Sequence, residues 1–364
     1  MQTAIRLARR GEGRVEPNPM VGCVVVRNGH ILGQGYHKAF GGPHAEVEAL
    51  ADCCRRGHSL DDATVYVTLE PCCHHGKTPP CTKALIAARP ARVIVAMLDP
   101  AEHAKGAGVE ALRNASITVE VGPGQTAAQR LTEPYTHRVT TETPWVIAKW
   151  AQTVDGRIAT RTGESRWISA PSSRRFVHRL RSRVDAVMVG IGTVLADNPR
   201  LTARNTPIRR HARRVVIDPM LRIPDNAILF SDPAPPITIA MGPDADTARA
   251  AHLKARGVEL FEMAPSACTT TGLDLTPLLD HLAKAHGATN VLVEGGSRLL
   301  GSLLAQRLID QCLVFTAPML MGDPESLPAL SSTSVEQMKA APRLQLVATR
   351  RFDEDVLLDY RCVK

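Results

Sequence analysis

Two hydrophobic periods alternate along this 364-residue chain. Residues 21–26 and 31–35 are short apolar runs on either side of Asn28-Gly29, a dipeptide suited to the left-handed backbone of a type I′ turn, and they predict a β-hairpin. Val47, Leu50, Ala51 and Cys54 then recur at i, i+3, i+4 and i+7 and predict an amphipathic helix from about His44. Strand-like runs at 64–69, 92–96 and 117–121 alternate with helical segments starting at Cys81 and at 109–113 and 126–139, after an opening helix over 2–10. Such alternation predicts a sheet sandwiched between helices. A polar stretch, Thr140-Thr141-Glu142-Thr143-Pro144, marks a boundary, so the domains are expected at 1–142 and 143–364. The second half alternates again, with strands at 145–150, 214–217, 237–241, 290–293 and 313–316 and helices at 171–183, 246–256, 276–286 and 297–309. It ends in a predicted hairpin, 344–349 with 356–361, and the Arg-containing region 203–214 reads as an exposed loop.

Composition narrows the classes. Hydrophobic residues at 44% and charged residues at 22% suit a folded chain with a core in each half. No run of about 18 apolar residues occurs, so no membrane partner is expected. The N-terminus lacks the apolar core and cleavage site of a secretion signal. Nine cysteines, an odd count, lie scattered or adjacent outside 72–81, which fits a reducing cytoplasm better than a disulfide framework. The net charge of +8 favours anionic ligands. No basic run is interleaved with aromatic residues as a stacking platform requires, so no nucleic-acid partner is expected. The oligomeric state stays open, a homo-oligomer included.

The chemistry concentrates in Pro43-His44-Ala45-Glu46 and in PCCHHGKTPPC, from Pro71 to Cys81. His44, through Nδ1 or Nε2, with the thiolates of Cys72 and Cys81, offers zinc three ligands and leaves its fourth position to water. Two thiolates neutralise the cation, which still activates water near neutral pH. Glu46 is the expected general acid and base, taking the water proton and serving a ring nitrogen and a departing amine. On one helix His44 and Glu46 are about 200° apart, so both reach one metal only from its first turn. Cys81 follows Pro79-Pro80 at a helix start, where a thiol's pKa falls. Against this, Cys73, His74 or His75 as a fourth ligand would close the site and make it structural.

The H-x-E and P-C elements are those of zinc deaminases, but the second cysteine follows after eight residues rather than two. With PCxHxGxTPPC, and PNPxVG at 17–22, the first half resembles the deaminase half of the bacterial bifunctional riboflavin-biosynthesis deaminase–reductases. Lys149, Asp155-Gly156-Arg157, the run from Gly163 to Ile168, and the run from Gly192 to Pro199 with Leu201 and Thr202 resemble their reductase half. The resemblance implies a cytidine-deaminase-like α/β/α sandwich followed by a dihydrofolate-reductase-like α/β domain. It implies zinc-dependent hydrolytic deamination of a 2,5-diamino-6-(5-phosphoribosylamino)pyrimidinone, then NADPH reduction of the ribosyl group to ribityl. By the same resemblance Asn18, His37, His74, Lys77 and Thr78 contact the phosphoribosyl-pyrimidine in the first domain. Ala151, Trp167, Thr193, Asp197, Gly296, Ser297, Arg298, Leu299, Leu300, Gly301 and Ser302 contact NADPH, and Ser165, Arg181, Leu201, Arg204 and Glu294 contact substrate in the second. Cys73 departs from the pattern, since relatives usually carry serine there.

The residues of the second half agree in part. No G-x-G-x-x-G follows a first strand, so an ordinary dinucleotide-binding unit is not indicated. Instead the strand NVLVEGG runs into a helix, and Gly295-Gly296 at its start let backbone N–H groups approach a phosphate. Arg181 and Arg204 suit a ribose phosphate, and Arg222 the cofactor's 2′-phosphate. No proton donor for the reduction is legible. The competing reading is a tRNA or single-stranded-DNA base deaminase fused to an unrelated α/β domain; it shares HAE and PC but expects the short Cys-x-x-Cys spacing.

Overall fold

The computed structural model describes residues 1–102, 104–231, 235–266, 272–331 and 335–363, in two units, Met1–Glu142 and Thr143–Lys364. In the first, α1 (Gln2–Ala8) precedes a hairpin of β1 (Gly22–Arg27) and β2 (His30–Tyr36). Its turn residues Asn28 and Gly29 have φ of 50° and 79°, both positive as a type I′ turn requires. There follow α2 (Ala45–Arg55), β3 (Thr64–Val67), α3 (Cys81–Ala88), β4 (Arg92–Val95), α4 (Ala107–Asn114), β5 (Thr118–Val121) and α5 (Gln125–Thr141). The sheet runs β2-β1-β3-β4-β5, antiparallel around β1 and parallel from β3 to β5.

Strand alternation sorts the side chains onto two faces. Cys23, Val25, Val65 and Val93 share a core with Ala49 of α2, Leu85 of α3 and Leu112 of α4. On the other face Val24 meets Ala4 and Leu7 of α1, while Leu69 and Met97 pack with Ala128 of α5. The unit is an α/β/α sandwich.

The buried face of α2 is rotated from the stripe that Val47, Leu50, Ala51 and Cys54 predict. Ala45, Ala49 and Cys53 are fully buried, whereas Ala51 and Cys54 are exposed. The reason is close approach. A Cβ on Gly33 would lie 2.4 Å from Cys53 Sγ, and one on Gly35 would lie 2.4 Å from the Ala49 nitrogen. Strand glycines facing small helical residues let the two backbones touch, which leaves the larger Val47 and Leu50 at the margins.

The second unit contains β6 (Trp145–Thr153), β7 (Arg157–Ala159), α6 (Pro171–Arg181), β8 (Ala186–Gly190), α7 (Ile191–Asp197), β9 (Arg213–Ile217), β10 (Ile237–Met241), α8 (Thr247–Ala255) and β11 (Glu259–Glu262). It continues through α9 (Thr276–His286), β12 (Asn290–Val293), α10 (Ser297–Ala305), β13 (Gln311–Ala317), β14 (Leu327–Pro328), β15 (Leu344–Phe352) and β16 (Asp355–Cys362). Its main sheet runs β11-β10-β9-β8-β12-β6-β13-β16-β15. All strands from β11 to β13 in that order are parallel, and the β15–β16 hairpin closes the edge antiparallel. Met188 and Ile217 face Leu279 of α9 and Leu300 of α10; Val187 and Val216 face Val177 of α6 and Leu253 of α8. Arg214, where the predicted loop 203–214 meets the predicted strand 214–217, lies in β9 as the strand reading has it, but is 1% exposed, its guanidinium donating to the Leu229 and Pro235 carbonyls. Among the described residues no helix is long and apolar enough to cross a membrane.

The glycine of PNPxVG has a packing reason: a Cβ on Gly22 would fall 2.0 Å from the Ala4 carbonyl oxygen. Gly22→Ala is therefore expected to destabilise the protein by about 1–3 kcal/mol, read by denaturant unfolding. An unchanged midpoint would contradict this packing.

Candidate active sites

Three element ends meet at the first site. His44 is the N-cap of α2, Cys81 is the first residue of α3, and Cys72 follows β3 after a short extension. His44 Nδ1 lies 3.2 Å from Cys81 Sγ and 3.5 Å from Cys72 Sγ. Tetrahedral zinc, with bonds of about 2.3 Å to sulfur and about 2.0 Å to nitrogen, sets such donors about 3.5 Å apart, so the set fits the ion. His44 Nε2 is 3.4 Å from Thr78 Oγ1, an orienting partner that leaves Nδ1 facing the two sulfurs. Among the described residues, neither Cys73, His74 nor His75 joins this donor cluster.

The Cys72 loop is tied to the start of α3. Cys81 N–H donates to Cys72 Sγ at 3.3 Å, and the Thr82 N–H and hydroxyl donate to the Cys72 carbonyl, each at 3.2 Å. Hydrogen bonding from Cys81, joined by that from His44, outweighs burial and holds the Cys72 thiol down to about 4. Cys81 moves up, because it shares its proton with Cys72 and is buried. A divalent cation held here would displace that proton and have both sulfurs as thiolates. Glu46, on the first turn of α2, is 3% exposed, and burial raises its carboxyl to about 7. Its Oε2 is buried without a hydrogen-bond partner. A carboxyl of that proton affinity both takes and gives a proton near neutral pH.

His44, Glu46 and Cys72 line a cavity of about 330 Å³ together with Asn18, His37, His74, Lys77 and Thr78. His37 is buried, with Nδ1 at 3.0 Å from the Pro43 carbonyl and Nε2 at 3.2 Å from Asn18 Nδ2. The pairing is consistent if Nδ1 donates to the carbonyl and Nε2 accepts from the amide, so His37 orients Asn18. Burial lowers its pKa and keeps the ring neutral. Lys77 is exposed, with Nζ 4.0 Å from the centre of the Phe40 ring. Asp99 and Tyr135 also line the cavity, joined by a 3.0 Å hydrogen bond, and the sequence reading did not single them out. The available signal was Asp99's place just past β4, at the carboxyl end of a parallel strand.

The second site is a cavity of about 930 Å³ beyond the carboxyl ends of β8, β9 and β12. Gly296, Ser297, Arg298 and Leu299, at the start of α10, line it with Ala151, Ser165, Trp167, Thr193, Asp197, Arg181, Arg204, Glu294 and Arg222. Leu201 instead packs in the core, and Leu300, Gly301 and Ser302 are buried along α10 away from the lining. A helix N-terminus beside several fixed cations suits a large phosphorylated ligand. Arg181 Nε and Nη2 donate to the two carboxylate oxygens of Glu294 at 2.5 and 3.0 Å. Burial works to raise Glu294, but Arg181 outweighs it and the carboxyl ends below its ordinary range. Lys149, which the sequence offered only as part of a motif, is half-buried beside them, and desolvation lowers its ammonium against the pull of Glu294.

A second metal-type cluster, Glu259, His281 and His286, already holds a cation of its own. Arg213 Nη1 lies 2.6 Å from Glu259 Oε2, and Nη2 lies 3.1 Å from His286 Nδ1. An arginine donor at Nδ1 leaves the ring proton on Nε2, facing Glu259 rather than a metal.

Comparison with known proteins covers both units. Residues 1–97 match the cytidine and deoxycytidylate deaminase zinc-binding region, and residues 144–358 match the RibD C-terminal domain. The chain is 42% identical over 338 residues to the riboflavin biosynthesis protein RibD of Aquifex aeolicus, spanning 93% of this chain and 91% of that one. It is 37% identical to the Escherichia coli protein of the same name, over 98% and 97% of the two chains. Among solved structures, a diaminohydroxyphosphoribosylaminopyrimidine deaminase/5-amino-6-(5-phosphoribosylamino)uracil reductase from Thermotoga maritima superposes with a TM-score of 0.85 at 35% identity, covering 100% and 97%. Acinetobacter baumannii RibD superposes with a TM-score of 0.85 at 34% identity, covering 100% and 98%.

The Arg181–Glu294 pair yields a direct test. Arg181→Met removes two charge-assisted hydrogen bonds from a half-buried carboxylate and leaves it Lys149 as a neighbouring cation, so it is expected to cost about 1.5–3 kcal/mol, measured by denaturant unfolding. The double variant Arg181→Met/Glu294→Leu removes the carboxylate as well and should lose less than the sum of the two single variants. Additive losses in the double variant would show that the two side chains are not coupled.

Proposed function

The chain belongs to the RibD family of riboflavin-biosynthesis deaminase–reductases, and on that premise we propose that Glu46 moves the protons of its first reaction at a zinc ion held by His44, Cys72 and Cys81. The chain is a diaminohydroxyphosphoribosylaminopyrimidine deaminase and a 5-amino-6-(5-phosphoribosylamino)uracil reductase, the first activity served by zinc and the second by NADPH. Bound zinc supplies Lewis-acid activation of water near neutral pH. Glu46 accepts the proton of the attacking water and passes it to a ring nitrogen. It then takes the proton of the newly added hydroxyl, as the carbonyl forms, and hands it to the exocyclic amino group as the C–N bond breaks and ammonia leaves. The observation that carries this reading is the buried, partnerless Oε2 of Glu46, two residues beyond His44 on the first turn of α2.

The remaining assignments follow the linings of the two cavities. Asn18, oriented by His37, reads the pyrimidine edge with His74, and Lys77 at the exposed mouth takes the phosphate with Thr78 nearby. In the second cavity the start of α10 receives the cofactor's pyrophosphate, and Thr193, Asp197, Ala151 and Trp167 flank the cofactor. Glu294, fixed by Arg181, accepts from ribose hydroxyls, and Arg204 pairs with the substrate phosphate beside Ser165. Arg222 serves the 2′-phosphate. The partners are small phosphorylated pyrimidines, and a cytoplasmic setting supports both the reduced thiolate ligands and an NADPH-linked step. A nucleic-acid deaminase fused to an unrelated domain is not favoured, because family relatives match the chain along both halves.

Glu46→Gln keeps the zinc donors and removes the proton carrier. Ammonia release should fall about 10²–10⁴-fold, with zinc content unchanged and NADPH oxidation on supplied deaminated intermediate intact. Unaltered ammonia release would remove Glu46 from the mechanism.

A further inference from the structure

Cys72 reaches the first site on a stretch, residues 68–80, without helix or strand of its own. Its anchor lies two residues earlier. The Glu70 side chain is 5% exposed and accepts four backbone N–H groups, from Asp99 and Gly106 on Oε2, both at 3.0 Å, and from Gly108 and Val109 on Oε1 at 2.9 and 3.1 Å. Gly106 is the N-cap of α4, so the carboxylate satisfies that helix's unpaired donors. The main chain closes on the same place. Glu70 N–H donates to the Met97 carbonyl at 3.0 Å, and a Cβ on Gly108 would fall 2.0 Å from the Pro71 carbonyl oxygen.

A carboxylate gripped by four donors is fixed in position and is not itself a metal ligand. We propose that Glu70 is the positioning residue of the metal centre: it clamps Pro71 against the start of α4, presents Cys72 Sγ to the ion, and thereby sets zinc affinity. Without the clamp, ordering the Cys72 stretch is charged to the binding free energy, so the ion is held less tightly. Glu70→Gln keeps the shape but points amide hydrogens at backbone N–H groups. Gly108→Ala strikes the same contact from the other side. The inference rests on His44, Cys72 and Cys81 being the zinc ligands.

The test is the zinc dissociation constant of the full chain, by competition with a chelator, in parent, Glu70→Gln, Gly108→Ala and Leu112→Ala. Leu112 is a fully buried residue of α4, so its truncation lowers stability without touching the clamp. Zinc affinity should weaken about 10–100-fold in Glu70→Gln and in Gly108→Ala, each reporting independently should the other fail to fold. Leu112→Ala should melt earlier and keep parental affinity. Parental affinity in both clamp variants, or affinity that merely tracks melting temperature across all three, overturns the proposal while leaving the ligands in place. A parent chain that takes up no zinc overturns the ligand set and this inference with it.

Discussion

Two helices begin where one strand ends, and that meeting is the constraint on which the first active site depends. His44 caps α2 and Cys81 opens α3, so both donors sit where backbone N–H groups point outward and favour negative charge. Cys72 arrives from β3 and is held by α3's own first residues, through Cys81 N–H and Thr82. Side chains at element ends project past the backbone, which lets His44 and Glu46 line one cavity despite facing apart along a helix. The Gly33–Cys53 and Gly35–Ala49 contacts seat α2 directly on the sheet and so fix the depth at which Glu46 is buried.

The second unit solves a different problem with the same kind of arrangement. Its cavity opens at the carboxyl ends of the parallel strands β8, β9 and β12. Around Glu294, opposed charges organise one another. Arg181 holds the carboxylate ionised through two hydrogen bonds, and the carboxylate in turn opposes the effect of burial on Lys149. Polar groups so deeply placed are ordered before any ligand arrives.

Local signals in the sequence were legible because local chemistry decides them. Asn28-Gly29 set its turn, Pro79-Pro80 marked the start of α3, and the residues around His44 and Cys81 announced a metal. Features made by distant residues were not legible. Glu70 reads in sequence as an ordinary charge before a proline, and its four partners lie 29 to 39 positions on. Arg214 reads as a charge at the junction of a loop and a strand, yet it is buried and donates to carbonyls of a later segment. The strand β8 and the helix α7 adjoin without a turn residue other than Gly190, so periodicity alone did not separate them. The α2 stripe was misplaced because glycines on β2 admit small residues closest to the sheet, which a count of large apolar positions does not anticipate.

The central claim is a metal with three protein donors, two of them sulfur, beside an acid–base carboxyl. X-ray absorption at the zinc edge of the zinc-loaded chain measures it directly. The account predicts two sulfur atoms at about 2.3 Å with one imidazole nitrogen and one further light oxygen-type scatterer at about 2.0–2.1 Å. A third sulfur, or a second imidazole in place of the oxygen, would contradict it.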